Sequence, residues 1–354
     1  MSQREPMSGA VAAVIVVLSL AAYFLAFAEP LSPELTAMPR WYRALEPTPE
    51  TGEAGERMAF SAGDRYGYFS PDGSVFIMAD APGGASLSDA AYVVPVAGGG
   101  TVPLRSADGA VLAELGAGEP FFSGGRLYSA AADGSAVAAY DASGARSWSY
   151  SFPSVVSAFC SVPDLVVAGT VDGWMEGIGP SGEALFSFAP GGSRLSVILG
   201  VAASADGEWV AAVSGIDPQR LVVLGRGRDE YRVVSHRYLD SDYREPVSVA
   251  ILDRWGLAMY RRPDGIGVRA LDGSVDALLP VKADSFEVTP DEGRGIAYFI
   301  ARRAGGSEIV AFSPPARVLG RVPLPPDASY VRFSGGSVFL GAPGWLARFD
   351  FTEG

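Results

Sequence analysis

The chain contains one cysteine, Cys160, and one histidine, His236, in 354 residues. A single cysteine excludes an internal disulfide framework and any zinc site built on cysteines. A single histidine excludes multi-histidine metal centres, and any Ser-His-Asp system would have to use His236. Lysine is nearly missing too: of 27 bases, all but Lys282 are arginine. Against 40 acids they leave a net charge of −13. A general nucleic-acid binder needs a basic footprint, so that class is excluded. No helical period is sustained after residue 57, which leaves an all-β domain. Apolar residues make up 48% of the chain, ample for a core. The length suggests about two domains, but all-β barrels and propellers exceed the usual domain size as one unit.

One long apolar run is present. Residues 7–28 carry no charge over 22 positions. At about 1.5 Å per residue a helix of that length reaches about 33 Å, enough to cross a bilayer core of about 30 Å. Tyr23, Phe24 and Phe27 near its far end suit an interface. The reading is a retained signal-anchor helix. Ala26-Phe27-Ala28 also forms an A-x-A cleavage site, so a removed signal peptide is the alternative. The absence of a cysteine after the run excludes a lipoprotein. Gly9 and Ala13 form a small-xxx-small pair that Ala-rich spans also contain by chance. Flanking charges orient the segment weakly. A short tail before a first apolar segment usually stays inside, which puts the large domain outside the cytoplasm, on the periplasmic side of the inner (cytoplasmic) membrane.

Residues 29–56 contain Pro30, Pro33, Pro39, Pro47 and Pro49 and read as an extended, Glu-rich linker. Within it, Trp41 and Tyr42 suit either the membrane surface or packing on the folded domain. From residue 57 to 354 short apolar runs alternate with turn signals. Asp-Gly begins at 72, 108, 133, 172, 206, 264 and 272. Between β-rich runs that dipeptide is a strong hairpin signal, because the turn needs positive φ. A longer period is also present. Turns ending at 73, 125, 164, 207, 256, 293 and 336 recur about every 44 residues, the length of a propeller blade. A second turn recurs inside the units, as in Asp141-Ala142-Ser143-Gly144. The expectation is a single β-propeller of about seven four-stranded blades over 57–354, with six or eight left open because residues 79–118 parse in more than one way. Its last unit would be completed by a strand from residues 57–61, which would remove the open edge.

The stretch Ala139-x-Asp141-x-Ser143-Gly144-x-x-x-Trp148 resembles the blade motif of quinoprotein-like (PQQ-like) and WD-repeat-like propellers. The resemblance implies that Trp148 packs between neighbouring blades, with Phe186 at the equivalent offset. No Gly-His or Trp-Asp pair occurs, so the chain is not a regular WD-repeat protein. Its layout is similar to bacterial proteins with one N-terminal anchor and a propeller outside. The fold also resembles propeller subunits that assist outer-membrane protein assembly.

Chemistry is scarce. Gly177-Ile178-Gly179-Pro180-Ser181-Gly182 matches G-x-G-x-x-G, but a dinucleotide site needs a helix after it, and a strand-like run follows. His236 falls on a polar outer strand, and no G-x-S-x-G elbow accompanies it. Cys160 sits in an apolar inner-strand context, as a buried inert thiol does. Asp240, Asp242 and Glu245 lack the spacing of a calcium loop. No catalytic, cofactor-binding or metal-ligating set emerges, and no cofactor is expected. Charge is more informative. Residues 220–269 hold ten arginines against seven acids, while 29–219 sum to −14. Arg226, Arg228, Arg232, Arg237 and Arg244, interleaved with Tyr231, Tyr238 and Tyr243, form the candidate partner surface, since Arg and Tyr favour interfaces. The composite expectation is a membrane-anchored, non-catalytic protein-interaction platform. The alternative is a ligand receptor or a hydrolase/lyase-type enzyme with a site in the central funnel.

Overall fold

The computed structural model describes residues 16, 17, 19, 35–45, 56–96, 100–228 and 230–353. They form eight antiparallel sheets arranged as the blades of one β-propeller. In chain order the blades span 58–80, 86–115, 119–151, 156–188, 195–239, 249–279, 285–323 and 330–353. Blades two to seven have four strands each, running from the innermost, A, to the outermost, D. The eighth supplies three strands of its own, and Leu35–Ala44 pairs antiparallel with Trp345–Glu353 as its fourth.

Short apolar runs explain the strands, and turn chemistry explains the hairpins. The middle strands, such as Leu165–Thr170 and Ser337–Ala342, are buried on both faces because each blade lies between two others. The C-to-D turns of blades one to four and six each close on a glycine at positive φ. Asp141 accepts from the amides of Ser143 and Ala145 at 2.8 and 3.0 Å, and Gly144 closes the turn at φ +81°. The same glycine is where the next blade seats. A Cβ on Gly182 (φ +87°) would lie 2.6 Å from the Cβ of Trp148 in the blade before it. Trp148 therefore packs between blades, as the motif implied. Gly144 meets Ala113 and Gly273 meets Ser235 in the same way.

The core is not one mass. Eight clusters of buried apolar side chains lie one at each blade-to-blade interface. Because every interface is a flat sandwich of two twisted sheets, the ring is held by its neighbours in sequence, and closure depends on the last blade meeting the first.

That closure differs from the sequence expectation in three ways. There are eight blades, not seven. The turn 70–74 is not equivalent to the A-to-B turns with which it aligns. Gly73 packs on Trp41 of the preceding blade as the other C-to-D glycines pack on theirs, and a bulge at Tyr68/Phe69 matches the C-to-D bulges elsewhere. Counting it as an A-to-B turn merges two units, because blade two turns at Ser88-Asp89-Ala90, without Asp-Gly. Second, the closing strand is Leu35–Ala44 rather than residues 57–61; Met58–Ala62 is the innermost strand of blade one. Third, the 29–56 segment is not wholly a spacer, since that closing strand lies inside it. Trp41 donates to the Pro71 carbonyl at 2.9 Å and packs on Phe69 and Phe339, whereas Tyr42 stays exposed and stacks on Trp345.

Blade one has only three strands among the described residues, and they occupy the B, C and D positions. Its 62–65 turn meets the B-to-C turn of blade eight, where Arg65 donates to the Pro343 carbonyl at 2.8 Å. No strand among the described residues lies beside the inner edge of Met58–Ala62. Side chains of the neighbouring blades meet that edge. Asp89 accepts from the Ala59 amide at 2.9 Å, and Tyr330 donates to the Ala59 carbonyl at 3.0 Å. Arg332 clamps Asp89 with two bonds, at 2.5 and 2.7 Å. Blades eight, one and two are joined through this one network.

The segment 7–28 lies outside the described residues except for Val16, Val17 and Ser19. No helix among the described residues is long and apolar enough to cross a membrane.

A candidate interaction face on the blade-connecting loops

Antiparallel blades put the A-to-B and C-to-D turns on one face of the ring. The B-to-C turns and the blade-to-blade connections lie on the other. On that second face, apart from Val96 on the B-to-C loop of blade two, Val155 (44%), Val171 (46%), Trp174 (40%) and Leu195 (48%) form a run of exposed large apolar side chains. They belong to consecutive loops of blades three to five, and backbone bonds stitch those loops together. The Val156 amide donates to the Gly134 carbonyl and the Val171 amide to the Val155 carbonyl, both at 2.9 Å. Gly173 sits against Ser196, where a Cβ would come within 2.6 Å of the serine Cβ. The Arg194 amide donates to the Asp217 carbonyl at 2.9 Å.

The loops are locally determined. Thr170 Oγ1 accepts from the Trp174 amide at 3.1 Å and donates to Asp172 at 2.5 Å, and Gly173 takes φ +90°. This Thr-x-Asp-Gly turn leaves the Trp174 indole partly exposed. Asp133 accepts from the amide and hydroxyl of Ser135 at 3.0 and 2.8 Å, which holds its carboxyl below the usual range. Arg194 pairs with Asp217 at 2.9 Å. Exposed aromatic and aliphatic groups on stiff loops are the usual material of an interaction surface.

The arginine- and tyrosine-rich sector lies on blade five and divides into two groups. Arg226, Arg228, Tyr231 and Arg232 surround its C-to-D turn. Arg237 and Tyr238 end its outer strand, with Tyr243 and Arg244 in the following loop. A nine-residue strand, about 30 Å long, separates the two ends. Most of the guanidinium groups have carboxylate neighbours. Arg226 lies 3.7 Å from Glu208, Arg232 3.1 Å from Glu230 and Arg244 3.9 Å from Asp242, while Arg237 pairs with Asp276. Tyr243 is covered by Arg261 at 4.2 Å, and burial pushes its hydroxyl pKa up. Tyr238 is 55% exposed, and His236, also exposed, stands edge-on to it.

On the opposite face a cleft of about 450 Å³ opens between blades two and three. Leu112, Phe122, Tyr140 and Trp148 form its apolar wall. It lies at the interface with the fewest buried side chains apart from blades one and two, where the inner strand of blade two is only two residues long. Glu176 is a buried carboxylate, but it is used internally, accepting from Ser187 at 2.9 Å and Tyr150 at 3.3 Å. Burial raises the Cys160 thiol pKa. Gly177–Gly182 ends a strand and forms a C-to-D turn, with no helix after it. Among the described residues no group of three or more His, Cys, Asp or Glu is placed to hold a metal.

The sequence signal for the loop face was present but ambiguous. Val155, Val171, Trp174 and Leu195 look like core residues in an apolar chain, and only the position of the neighbouring blades leaves them outside.

A family model described as "beta-propeller protein" matches residues 1–354. An uncharacterized protein of Treponema pallidum (strain Nichols) is 26% identical over 351 residues, covering 95% of this chain and 92% of the relative. The solved structure of BamB from Moraxella catarrhalis superposes with a TM-score of 0.62 at 13% identity, covering 89% of this chain and 100% of that one. A computationally designed protein, Ika8, gives 0.59 at 17% identity, over 84% of this chain and 94% of that one. At those identities the two structures are similar in fold alone.

Proposed function

The chain belongs to this family of β-propeller proteins, and from that premise we propose that it is a membrane-anchored, non-catalytic interaction platform whose working surface is the loop face of blades three to five. The observation that carries the reading is the exposure of Trp174 with Val155, Val171 and Leu195 on loops that are otherwise tightly hydrogen-bonded. Leaving a tryptophan and three aliphatic groups in water sacrifices burial at about 25 cal/mol per Å², a cost that a partner recovers.

Chain geometry supports the same orientation. The apolar run ends at Ala28 and the closing strand begins at Leu35, so the intervening chain reaches at most about 25 Å. Leu35 pairs with Glu353 at the end of blade eight that carries its A-to-B turn, and Ala44 reaches the opposite end. An anchor at 7–28 therefore tethers the face with the A-to-B turns toward the membrane and turns the Trp174 face away from it. In this reading the ring stands on the periplasmic side of the inner membrane and its partners are proteins. The arginine and tyrosine groups of blade five are a second surface on the rim of the same platform.

The test is affinity capture of the full-length protein from mild-detergent membranes. Trp174→Ala/Val171→Asp and Arg226→Glu/Arg228→Glu/Arg232→Glu/Arg237→Glu variants run alongside it. A stoichiometric partner lost in the first variant supports the loop face, and one lost only in the second moves the surface to blade five. Capture of the protein alone in every form refutes the platform.

A further inference from the structure

We propose that the loop face accepts a cationic amphipathic segment of a protein partner, with apolar side chains seated on Trp174, Val171 and Leu195 and flanking Lys or Arg meeting Asp133 and Asp172. This rests on the platform reading and adds the chemistry of the partner.

Charge selects the occupant. The loops that frame the apolar patch carry Asp133, Asp172 and Asp217, and the chain enters blade three through exposed Glu119. Arg194 is already paired with Asp217 at 2.9 Å. Arg220 is engaged on blade five, where its Nη2 donates to the Pro190 carbonyl at 2.8 Å and its guanidinium lies over the Tyr238 ring. Asp133, Asp172 and Glu119 have no ion-pair partner among the described residues. The turn hydrogen bonds on Asp133 favour its ionised form, so its negative charge is held in place near neutral pH. Both aspartates sit in ordered turns, so little side-chain freedom is lost when a cation meets them.

Other occupants fit less well. An anionic lipid surface meets carboxylates of its own sign. A second copy in a two-fold interface on this face sets the same acids against themselves, and like charges so placed cost several kcal/mol. A partner with an apolar centre and basic flanks satisfies both halves of the surface at once. The apolar contact sets the lifetime of the complex, and the charges set its approach and salt dependence.

The experiment uses the full-length protein in nanodiscs of zwitterionic phosphatidylcholine, with empty nanodiscs as the control. The probes are two fluorescent peptides with the same Leu-Trp-Leu centre, one with two lysines on each side and one with two glutamates. Anisotropy titrations are run at low salt and at 0.5 M salt. The lysine peptide is expected to bind, and to bind at least about tenfold more tightly than the glutamate peptide. Its affinity should fall about tenfold in Trp174→Ala and about three- to tenfold in Asp133→Asn/Asp172→Asn, with the second loss disappearing at high salt. Thermal melts of the variants, expected to stay cooperative with midpoints above the assay temperature, confirm that the face rather than the fold has changed. Equal binding of the two peptides, indifference to the aspartates, or no binding of the lysine peptide overturns the inference. A membrane partner that needs Trp174 but not the aspartates overturns only the charge argument and leaves the platform standing.

Discussion

Replacing Asp89 tests how blades eight, one and two are held together at the inner edge of Met58–Ala62. Asp89 does two things at once: it accepts the Ala59 amide and it neutralises Arg332. In Asp89→Asn the amide oxygen can still accept from Ala59, but Arg332 loses its counter-charge. Ion pairs in water are worth about 0.2–1 kcal/mol, and breaking a fully buried pair costs about 3–5 kcal/mol. This pair is partly exposed, with side chains 30% and 47% accessible, so a loss of about 1–2 kcal/mol is expected. Asp89→Ala also leaves the Ala59 amide without an acceptor, adding about 1 kcal/mol. Urea unfolding of the two variants, together with Arg332→Ala and the double variant, gives the coupling energy of the pair.

The pH dependence has a definite sign. Burial pushes the Asp89 carboxyl up, but the hydrogen bonds from Arg332 and Ala59 outweigh it and hold its pKa below the usual carboxylate range. A depressed folded-state value means the carboxylate stabilises the fold above the unfolded value, near 3.9. That stabilisation is lost as pH falls through the folded-state value. The gap between wild type and Asp89→Asn should therefore be constant from pH 7 to about 5 and close below about 4. An Asn variant as stable as the wild type at pH 7, or a gap that widens in acid, would refute the side-chain closure of the ring.

Other consequences are open to measurement. Gly182→Ala places a Cβ against Trp148 at a residue with φ +87°, so a loss of about 2–4 kcal/mol in a thermal or urea melt is expected. A variant at a glycine with open space around it, Gly125→Ala (φ +75°), bears only the backbone strain and should lose about 1 kcal/mol. Deleting residues 1–34 should leave a folded ring. Deleting residues 1–45 removes the closing strand and exposes the edge of Trp345–Glu353, so size-exclusion chromatography should show aggregation; a monomer with unchanged melting would contradict the closure. Trp174→Ala should weaken partner binding about tenfold, and because its side chain is only 40% exposed it should also cost about 1–2 kcal/mol in a urea melt; unchanged binding would contradict the loop face.

Much of the architecture could be read from the chain because its signals are local. A turn such as Asp141–Gly144 is written within five residues: an aspartate that caps two amides and a glycine that takes positive φ. The apolar runs around such turns identify strands, and their spacing identifies blades. The same locality explains the errors. The 70–74 and 204–207 turns have nearly the same sequence chemistry, yet one joins C to D and the other A to B. Which it is depends on the strand beside it.

The closing strand has no local signature at all. Leu35–Ala44 contains Pro39 and reads as linker until Trp345–Glu353, about 300 residues away, offers its edge. The pairing of Arg237 with Asp276 likewise needs two neighbouring blades to pack, and the clamp of Arg332 on Asp89 needs the ring to close. Exposure follows the same rule. Val166 and Val171 stand five residues apart in the same apolar stretch; one is buried against blade three and the other lies in water. Sequence by itself determined the all-β character, the turns, the acidic balance and the shortage of catalytic groups, because each is a property of neighbouring residues. The blade count, the closing strand, the neutralisation of the arginines and the apolar face on blades three to five were decided by tertiary structure, because each depends on which distant strand lies alongside.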